Sequence, residues 1–160
     1  MIATAVREFL QKQGVEFTTL PHRMTFTAQE GAAVTHVRGL EWAKTVVCLA
    51  DGEPILAVLP AHFTLDPEKL REVVGASVLQ LAHEVELSRM YPGCELGAMP
   101  PFGPLYNQRV FCDHSLAADE QITFNAGTHT DAIRMKWADF VNLVKPVVGD
   151  FSIRPGRHVH

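Results

Sequence analysis

Apolar residues recur along this chain with two different periods, and each change of period marks the start of a new element. Ala5, Val6, Phe9 and Leu10 fall on one helical face, and Gly14 follows as a C-cap. Val15, Phe17 and Thr19 alternate with Glu16 and Thr18, which predicts a half-buried strand over residues 15–20, ended by Pro21. Thr27 and Glu30 have capping-box spacing and predict a helix running toward residue 37, closed by Arg38 and Gly39. Two continuous apolar runs, 45–50 and 54–60, flank Asp51-Gly52, a dipeptide suited to the positive φ of a tight hairpin. Asp66 and Pro67 supply an N-cap and a first-turn proline for a helix with Leu70, Val73 and Val74 on one face up to Gly75.

Further on, residues 77–82 suit a strand, and residues 84–90 suit a helix stopped by Tyr91-Pro92-Gly93. Short runs at 109–113, 121–124 and 131–135 are rich in strand-forming residues. Trp137, Phe140, Val141 and Val144 then mark a helix that Pro146 ends. Helices and strands are interspersed, so the expected class is mixed α+β: a mixed, largely antiparallel central sheet flanked by helices.

Length and composition narrow the picture. The chain has 160 residues, 47% hydrophobic and 20% charged, which suits one globular domain over 1–160, with 147–160 as a solvated tail. Arg7, Glu8 and Lys12 interrupt the N-terminus where a signal peptide needs an apolar run, and no stretch is apolar enough to span a membrane. Cytoplasmic location without a membrane partner is the expectation. The net charge of −4 argues against a general nucleic-acid binder and against DNA as a partner, but leaves room for a local basic patch. Arg154, Arg157, His158 and His160 form the most basic stretch. Cys48 and Cys112 sit in apolar runs as packing residues, whereas Cys94 reads either as a packing residue or as a reactive thiol.

Three places carry candidate chemistry. In 94–103, Gly97 and Gly103 bracket Met99, Pro100, Pro101 and Phe102 with almost no charge, which suits the rigid lip of a small-molecule pocket or a turn closing over the core. Lys44 stands just before a buried strand, where its ammonium either meets a phosphate or carboxylate in a cleft or is merely solvated. Asn125, Gly127, Thr128 and His129 follow a strand, and the segment offers backbone N–H groups to an oxyanion or forms a self-bonded turn. The histidines lack metal-ligand spacing, and neither a nucleophilic serine motif nor a Gly-rich nucleotide loop is present, so no metal and no cofactor are expected.

Taken in order, His22, Phe26-Thr27 with Glu30, Ala43-Lys44-Thr45-Val46-Val47, Gly97-x-x-x-Pro101-Phe102-Gly103 and Asn125-Ala126-Gly127-Thr128 resemble the YbaK/prolyl-tRNA-synthetase-associated domain family of aminoacyl-tRNA deacylases. The resemblance covers roughly residues 1–146. It implies a cleft that hydrolyses the ester joining a wrong, small amino acid to the 3′ end of a tRNA, tRNA-Pro or a similar one, with an aminoacyl-tRNA synthetase as a possible partner. Lys44 then orients the terminal nucleotide or its phosphate, and Gly97 and Pro101 shape the amino-acid pocket. The Gly127 segment, with Asn125, Thr128 and His129, lines the opposite wall, His22 lies at the entrance beside Phe26 and Thr27, and Met99 and Phe102 supply apolar walls. Water attacks the ester, backbone N–H groups near Gly97 or Gly127 hold the oxyanion, and a substrate ribose hydroxyl relays the proton. The extra Pro100 and the segment Gly127-Thr128-His129-Thr130 depart from better-known branches. A tRNA-end or synthetase binding module and a hydrolase of non-tRNA acyl esters are the alternative readings.

Overall fold

The structure is a computed structural model that describes residues 4–22 and 40–155. The helix expected from Thr27, together with Phe26 and Thr27 themselves, lies outside the described residues.

The Asp51-Gly52 hairpin forms as its sequence requires. Asp51 and Gly52 adopt φ of 50° and 83°, and β2 (Ala43–Ala50) pairs antiparallel with β3 (Glu53–Pro60) along its whole length, from Ala43 opposite Pro60 to Ala50 opposite Glu53. Around this hairpin a five-stranded sheet is assembled in the order β5-β2-β3-β6-β9, where β5 is Leu79–Leu81, β6 Arg109–Asp113 and β9 Val147–Gly149. The β3–β6 and β6–β9 ladders are parallel and the β2–β5 ladder antiparallel. A second, wholly antiparallel sheet has the order β1-β8-β7, with β1 Thr18–Pro21, β7 Gln121–Asn125 and β8 Asp131–Lys136. The expected mixed, largely antiparallel sheet flanked by helices is present, divided into these two sheets.

Residue parity divides the apolar side chains between two cores. Val47, Leu56, Val58, Val110 and Cys112 face a main core with Phe102, Phe124, Ile133 and Phe140, closed by Val6 and Leu10 of α1 (Thr4–Gln13) and by α5 (Trp137–Val144). Cys48, Ile55, Ala57, Leu59 and Phe111 face a second core with Phe63, Leu70 and Phe151. Covered on both faces, β3 reads as an unbroken apolar run, not as an alternating one. Leu70 comes from α2 (Pro67–Val74), whose Asp66 carboxylate accepts the Glu68 and Lys69 N–H groups and whose Gly75 closes it at φ 78°. The helix at α3 (Glu84–Met90) also forms as its sequence predicts.

Two sequence expectations need correction, and one element was not foreseen. The N-terminal strand is shorter and later than 15–20, because only Thr18–Pro21 reaches the edge of β8, while Val15 and Phe17 pack their side chains on the main core. Residues 147–155 are not a loose tail. Val147–Gly149 extends the sheet, β10 (Ser152–Ile153) pairs with β4 (Thr64–Leu65), and Phe151 is fully buried. Asp113 locks this return: Oδ1 accepts the Phe151 N–H at 3.0 Å, and Oδ2 accepts the N–H and hydroxyl of Ser115 in the 3-10 helix His114–Ala118. Finally, the Gly/Pro stretch ends in a one-turn helix, α4 (Gly103–Tyr106), which periodicity is too coarse to detect.

Candidate active site

The site is built where the two sheets meet. Trp42 bridges Thr123 in parallel, and the Thr123 N–H donates to the Glu41 carbonyl at 3.0 Å. Lys44 and Asn125 each stand two residues beyond this isolated bridge, on the face of their own strand that Trp42 and Thr123 occupy. Asn125 is paired across β7–β8 with Ala132, which packs with Trp42, Ala61 and Leu20. The His22 ring meets Trp42 edge-on with centroids 5.8 Å apart, and the His22 N–H donates to the Thr130 carbonyl at 2.8 Å. His22, Trp42, Lys44 and Asn125 are thereby gathered on the side of the strands turned away from the main core.

This face is charged but sparingly paired. Glu41, almost wholly buried, accepts the Thr123 hydroxyl at 2.7 Å and an Arg134 N–H at 3.0 Å, so its carboxylate is already engaged. Lys44 is half-buried, and burial pulls its ammonium pKa below the ordinary lysine value. It makes no hydrogen bond or ion pair with another described residue. Asn125 is 8% exposed and Trp42 0%, yet Asn125 Oδ1 and Trp42 Nε1 have no hydrogen-bond partner among the described residues. Leaving such a buried group unpaired costs about 1–3 kcal/mol.

A second group adjoins the first through the end of β7. The 94–99 loop is stitched to the 127–129 turn: Glu95 N–H donates to Gly127 carbonyl at 2.8 Å, Gly127 N–H to Ala98 carbonyl at 2.8 Å, and His129 N–H to Glu95 Oε1 at 3.2 Å. His129 Nε2 reaches the Leu96 carbonyl at 2.6 Å and therefore carries the proton of that bond. Gly97 and Gly127 both have positive φ, 81° and 92°. The Gly127 N–H, spent on Ala98, is withdrawn from the oxyanion donors expected from sequence, whereas the Gly97 N–H has no acceptor among the described residues. Thr128 turns its hydroxyl to the Asp131 carboxylate at 3.3 Å, a side-chain partner and not the turn's own backbone.

The apolar walls expected from Met99 and Phe102 are placed elsewhere. Both side chains belong to the main core, with the Phe102 ring 5.5 Å from Phe9 and 5.2 Å from Phe124, so they fix the lip from beneath. Pro101 is buried beside them. Cys94 resolves toward packing: it is half-buried, its sulfur lies 3.4 Å from the Tyr106 hydroxyl, and burial raises its thiol pKa. Sequence spacing gave no sign of Glu41, Glu95 or Arg134. The tryptophan two residues before Lys44, and the period-two placement of Arg134 after Ala132, were the signals present.

A model of the aminoacyl-tRNA editing domain matches residues 22–143. The chain belongs to that family. The multifunctional Ser/Thr-tRNA deacylase ProXp-y of Escherichia coli (strain K12) is 28% identical over 150 residues, covering 89% of this chain and 87% of that protein. The proline–tRNA ligase of Leuconostoc citreum (strain KM20) is 26% identical over 153 residues, and there the match takes in 91% of this chain but only 26% of the ligase. Among solved structures, the hypothetical protein APE2540 superposes with a TM-score of 0.83 over 93% of this chain and 99% of that one, at 24% identity. A candidate trans-editing enzyme for prolyl tRNA synthetase superposes at 0.80 over 96% and 99%, with 21% identity. The fold is thus that of the YbaK-like editing domains, in agreement with the resemblance carried by Lys44, Gly97, Pro101 and the Gly127 segment.

Proposed function

We propose that this domain is a trans-editing deacylase that hydrolyses the ester of a small, wrongly attached amino acid on tRNA-Pro or a similar tRNA. The observation that carries the reading is the half-buried Lys44 ammonium, unmatched by any described carboxylate and two residues beyond the Trp42–Thr123 bridge that joins the two sheets. An ammonium so placed has a phosphate or carbonyl oxygen as its natural counterpart, and a tRNA 3′ end offers both. The relatives' printed activities point the same way, toward Ser/Thr-tRNA deacylation and prolyl-tRNA synthesis.

An aminoacyl ester is activated already, so positioned water is a sufficient nucleophile. Water adds to the ester carbonyl, the oxyanion is held by the Gly97 N–H, and collapse expels the ribose oxygen, which takes up the proton the water gives up. The neighbouring ribose hydroxyl passes that proton along. A preorganised donor of this kind contributes about 3 kcal/mol. Rejection of large cognate side chains comes from the tightly stitched 94–99 and 127–129 segments.

The test is a deacylation screen with tRNA-Pro and other tRNAs charged with alanine, serine, threonine and their cognate amino acids. Rapid release of one small non-cognate amino acid, with slow release of cognate ones, is expected. Binding without release across the panel overturns turnover and leaves a binding module. Equal, salt-insensitive hydrolysis of free esters overturns the tRNA substrate, because phosphate contacts make affinity salt-dependent.

A further inference from the structure

Resting on the reading of the Trp42 face as the site for a tRNA 3′ end, we propose that the groove along β8 from Arg134 to Lys136 takes a backbone phosphate of the nucleotides that precede the terminal one. Lys136 supplies the free charge, and Glu16 limits the affinity.

Alternation along β8 puts Ala132, Arg134 and Lys136 on one face of the strand. Ala132 packs with Trp42, Ala61 and Leu20, so the two basic residues continue the face of the candidate site. Both are held by continuous ladders. Thr18 and Thr123 stand opposite Arg134 from either side, and Gln121 stands opposite Lys136. At about 3.4 Å per residue, Lys136 lies about 14 Å along the strand from Ala132, so a ligand filling both places is longer than an aminoacyl group. A cavity of about 560 Å³ opens over this stretch, and Arg134, Lys136, Thr18, Gln121 and Glu16 line it.

The lining favours an anion. Arg134 donates from Nη2 to the buried Glu41 carboxylate at 3.0 Å, which fixes the guanidinium while the side chain stays 42% exposed. A guanidinium has five donors, so others remain for a second anion. Lys136 is exposed and makes no hydrogen bond or ion pair with another described residue. Glu16 is the one carboxylate among the lining residues, and it forms no ion pair with Lys136. A ligand ammonium would meet two cations here. A phosphodiester presents two unesterified oxygens, and side chains whose Cα atoms are about 7 Å apart on a strand can each take one. A tRNA 3′ end carries such phosphates in a row leading away from its ester.

The experiment titrates two probes at several salt concentrations: a CCA-ending RNA minihelix carrying alanine through a non-hydrolysable 3′ amide, and the same alanyl amide on adenosine alone, which has no phosphate. Lys136→Gln should weaken minihelix binding about fivefold at low salt and flatten the plot of log affinity against log salt by about 0.7–0.9, the signature of one phosphate contact. Its affinity for the adenosine probe should change by less than about twofold, because a charge that far away is screened. Glu16→Gln should tighten the minihelix about two- to threefold and leave the adenosine probe where it was. Both side chains are exposed, so melting should stay at the wild-type temperature. An unchanged salt slope in Lys136→Gln, an equal loss on both probes, or no tightening in Glu16→Gln overturns the proposal. Deacylation of mischarged tRNA by wild type is followed separately. A flattened slope without turnover upholds the groove and removes the catalytic reading, whereas turnover with an unchanged slope does the reverse.

Discussion

The imidazole of His129 lies against Gly97, its Cε1 3.6 Å from the point a Cβ would occupy, while Nε2 holds the carbonyl of the preceding Leu96. The side chain of one wall thus sets the backbone path of the other. At φ 81° Gly97 occupies the left-handed region, where a Cβ costs about 1–2 kcal/mol, although the space beside His129 admits a methyl group at ordinary contact. Gly97→Ala is therefore expected to lower the melting temperature by several degrees and to reduce kcat/KM for deacylation by tenfold or more. Steady-state deacylation alongside calorimetry checks this, and unchanged kcat/KM in a destabilised variant would separate the loop from the reaction.

Lys44 carries a different signature, because its burial disfavours the charged form. A lysine whose folded pKa is depressed binds its proton less tightly in the native state than in the unfolded chain. Its unfavourable contribution is therefore present below the folded pKa and fades as pH rises through that value toward the ordinary 10.5. Lys44→Met, which keeps the stem and removes the ammonium, should abolish most deacylation yet leave stability at pH 7 equal or raised, by under about 1 kcal/mol given the half-exposed position. The stability gap between variant and wild type should narrow at pH 10. Urea melts at the two pH values test the sign, and a destabilised Lys44→Met would show that the ammonium supports the fold.

Much of this arrangement was legible in the order of residues. The Asp51-Gly52 hairpin and the Asp66-Pro67 helix start depend on local chemistry, so both formed as sequence predicts. Lys44, Gly97 and Gly127 could be singled out because a lysine before a buried strand and glycines among prolines are locally unusual. The Glu41–Thr123–Arg134 network could not be, because its members meet only through strand pairing across the fold. The same applies to Phe102. Its neighbours along the chain suggest a pocket wall, but Phe9, Phe124 and Phe140, distant in sequence, claim the ring for the core. The return of 147–153 to the sheets depends on Phe151 finding a vacancy beside Phe63 and Leu70, which periodicity does not register.

The proposed attack by water has a direct consequence for the cysteines. Burial raises the Cys94 thiol above its ordinary pKa and pushes Cys48 up to about 11, so neither holds much thiolate at pH 8. Iodoacetamide at pH 8 should modify native protein more slowly than urea-unfolded protein, and Cys94→Ala should retain deacylation within about twofold. Loss of all activity in a folded Cys94→Ala sample would restore a covalent route.

The C-terminal return hangs on Asp113, whose two oxygens hold the Phe151 N–H and the first turn of the 3-10 helix. Asp113→Ala leaves these buried donors unsatisfied, at a cost of about 1–3 kcal/mol. Amide exchange at Phe151 and Ser152 should accelerate well before that of β2 and β3. Uniform acceleration across the molecule would mean that the return does not open as a separate unit.

Gly103 is the most constrained glycine near the lip, and for a reason unrelated to φ. A Cβ there would stand 2.2 Å from the carbonyl oxygen of Gln108 and 2.4 Å from Val110 Cγ2. The first is backbone tied by its own neighbour, since the Gln108 N–H donates to the Gly103 carbonyl at 2.9 Å, so the one-turn helix and the start of β6 would have to separate. Overpacking of this kind costs about 1–3 kcal/mol or more. Because α4 abuts Phe102, which anchors the Gly97–Pro101 lip in the core, the damage should spread to the site. Gly103→Ala is expected to lose both stability and deacylation, whereas Gly75→Ala, with nothing within 4 Å of the added Cβ, should lose only the stability due to its positive φ. Denaturant midpoints and deacylation rates measured on the two variants together decide whether the lip depends on this contact, and full activity in folded Gly103→Ala would show that it does not.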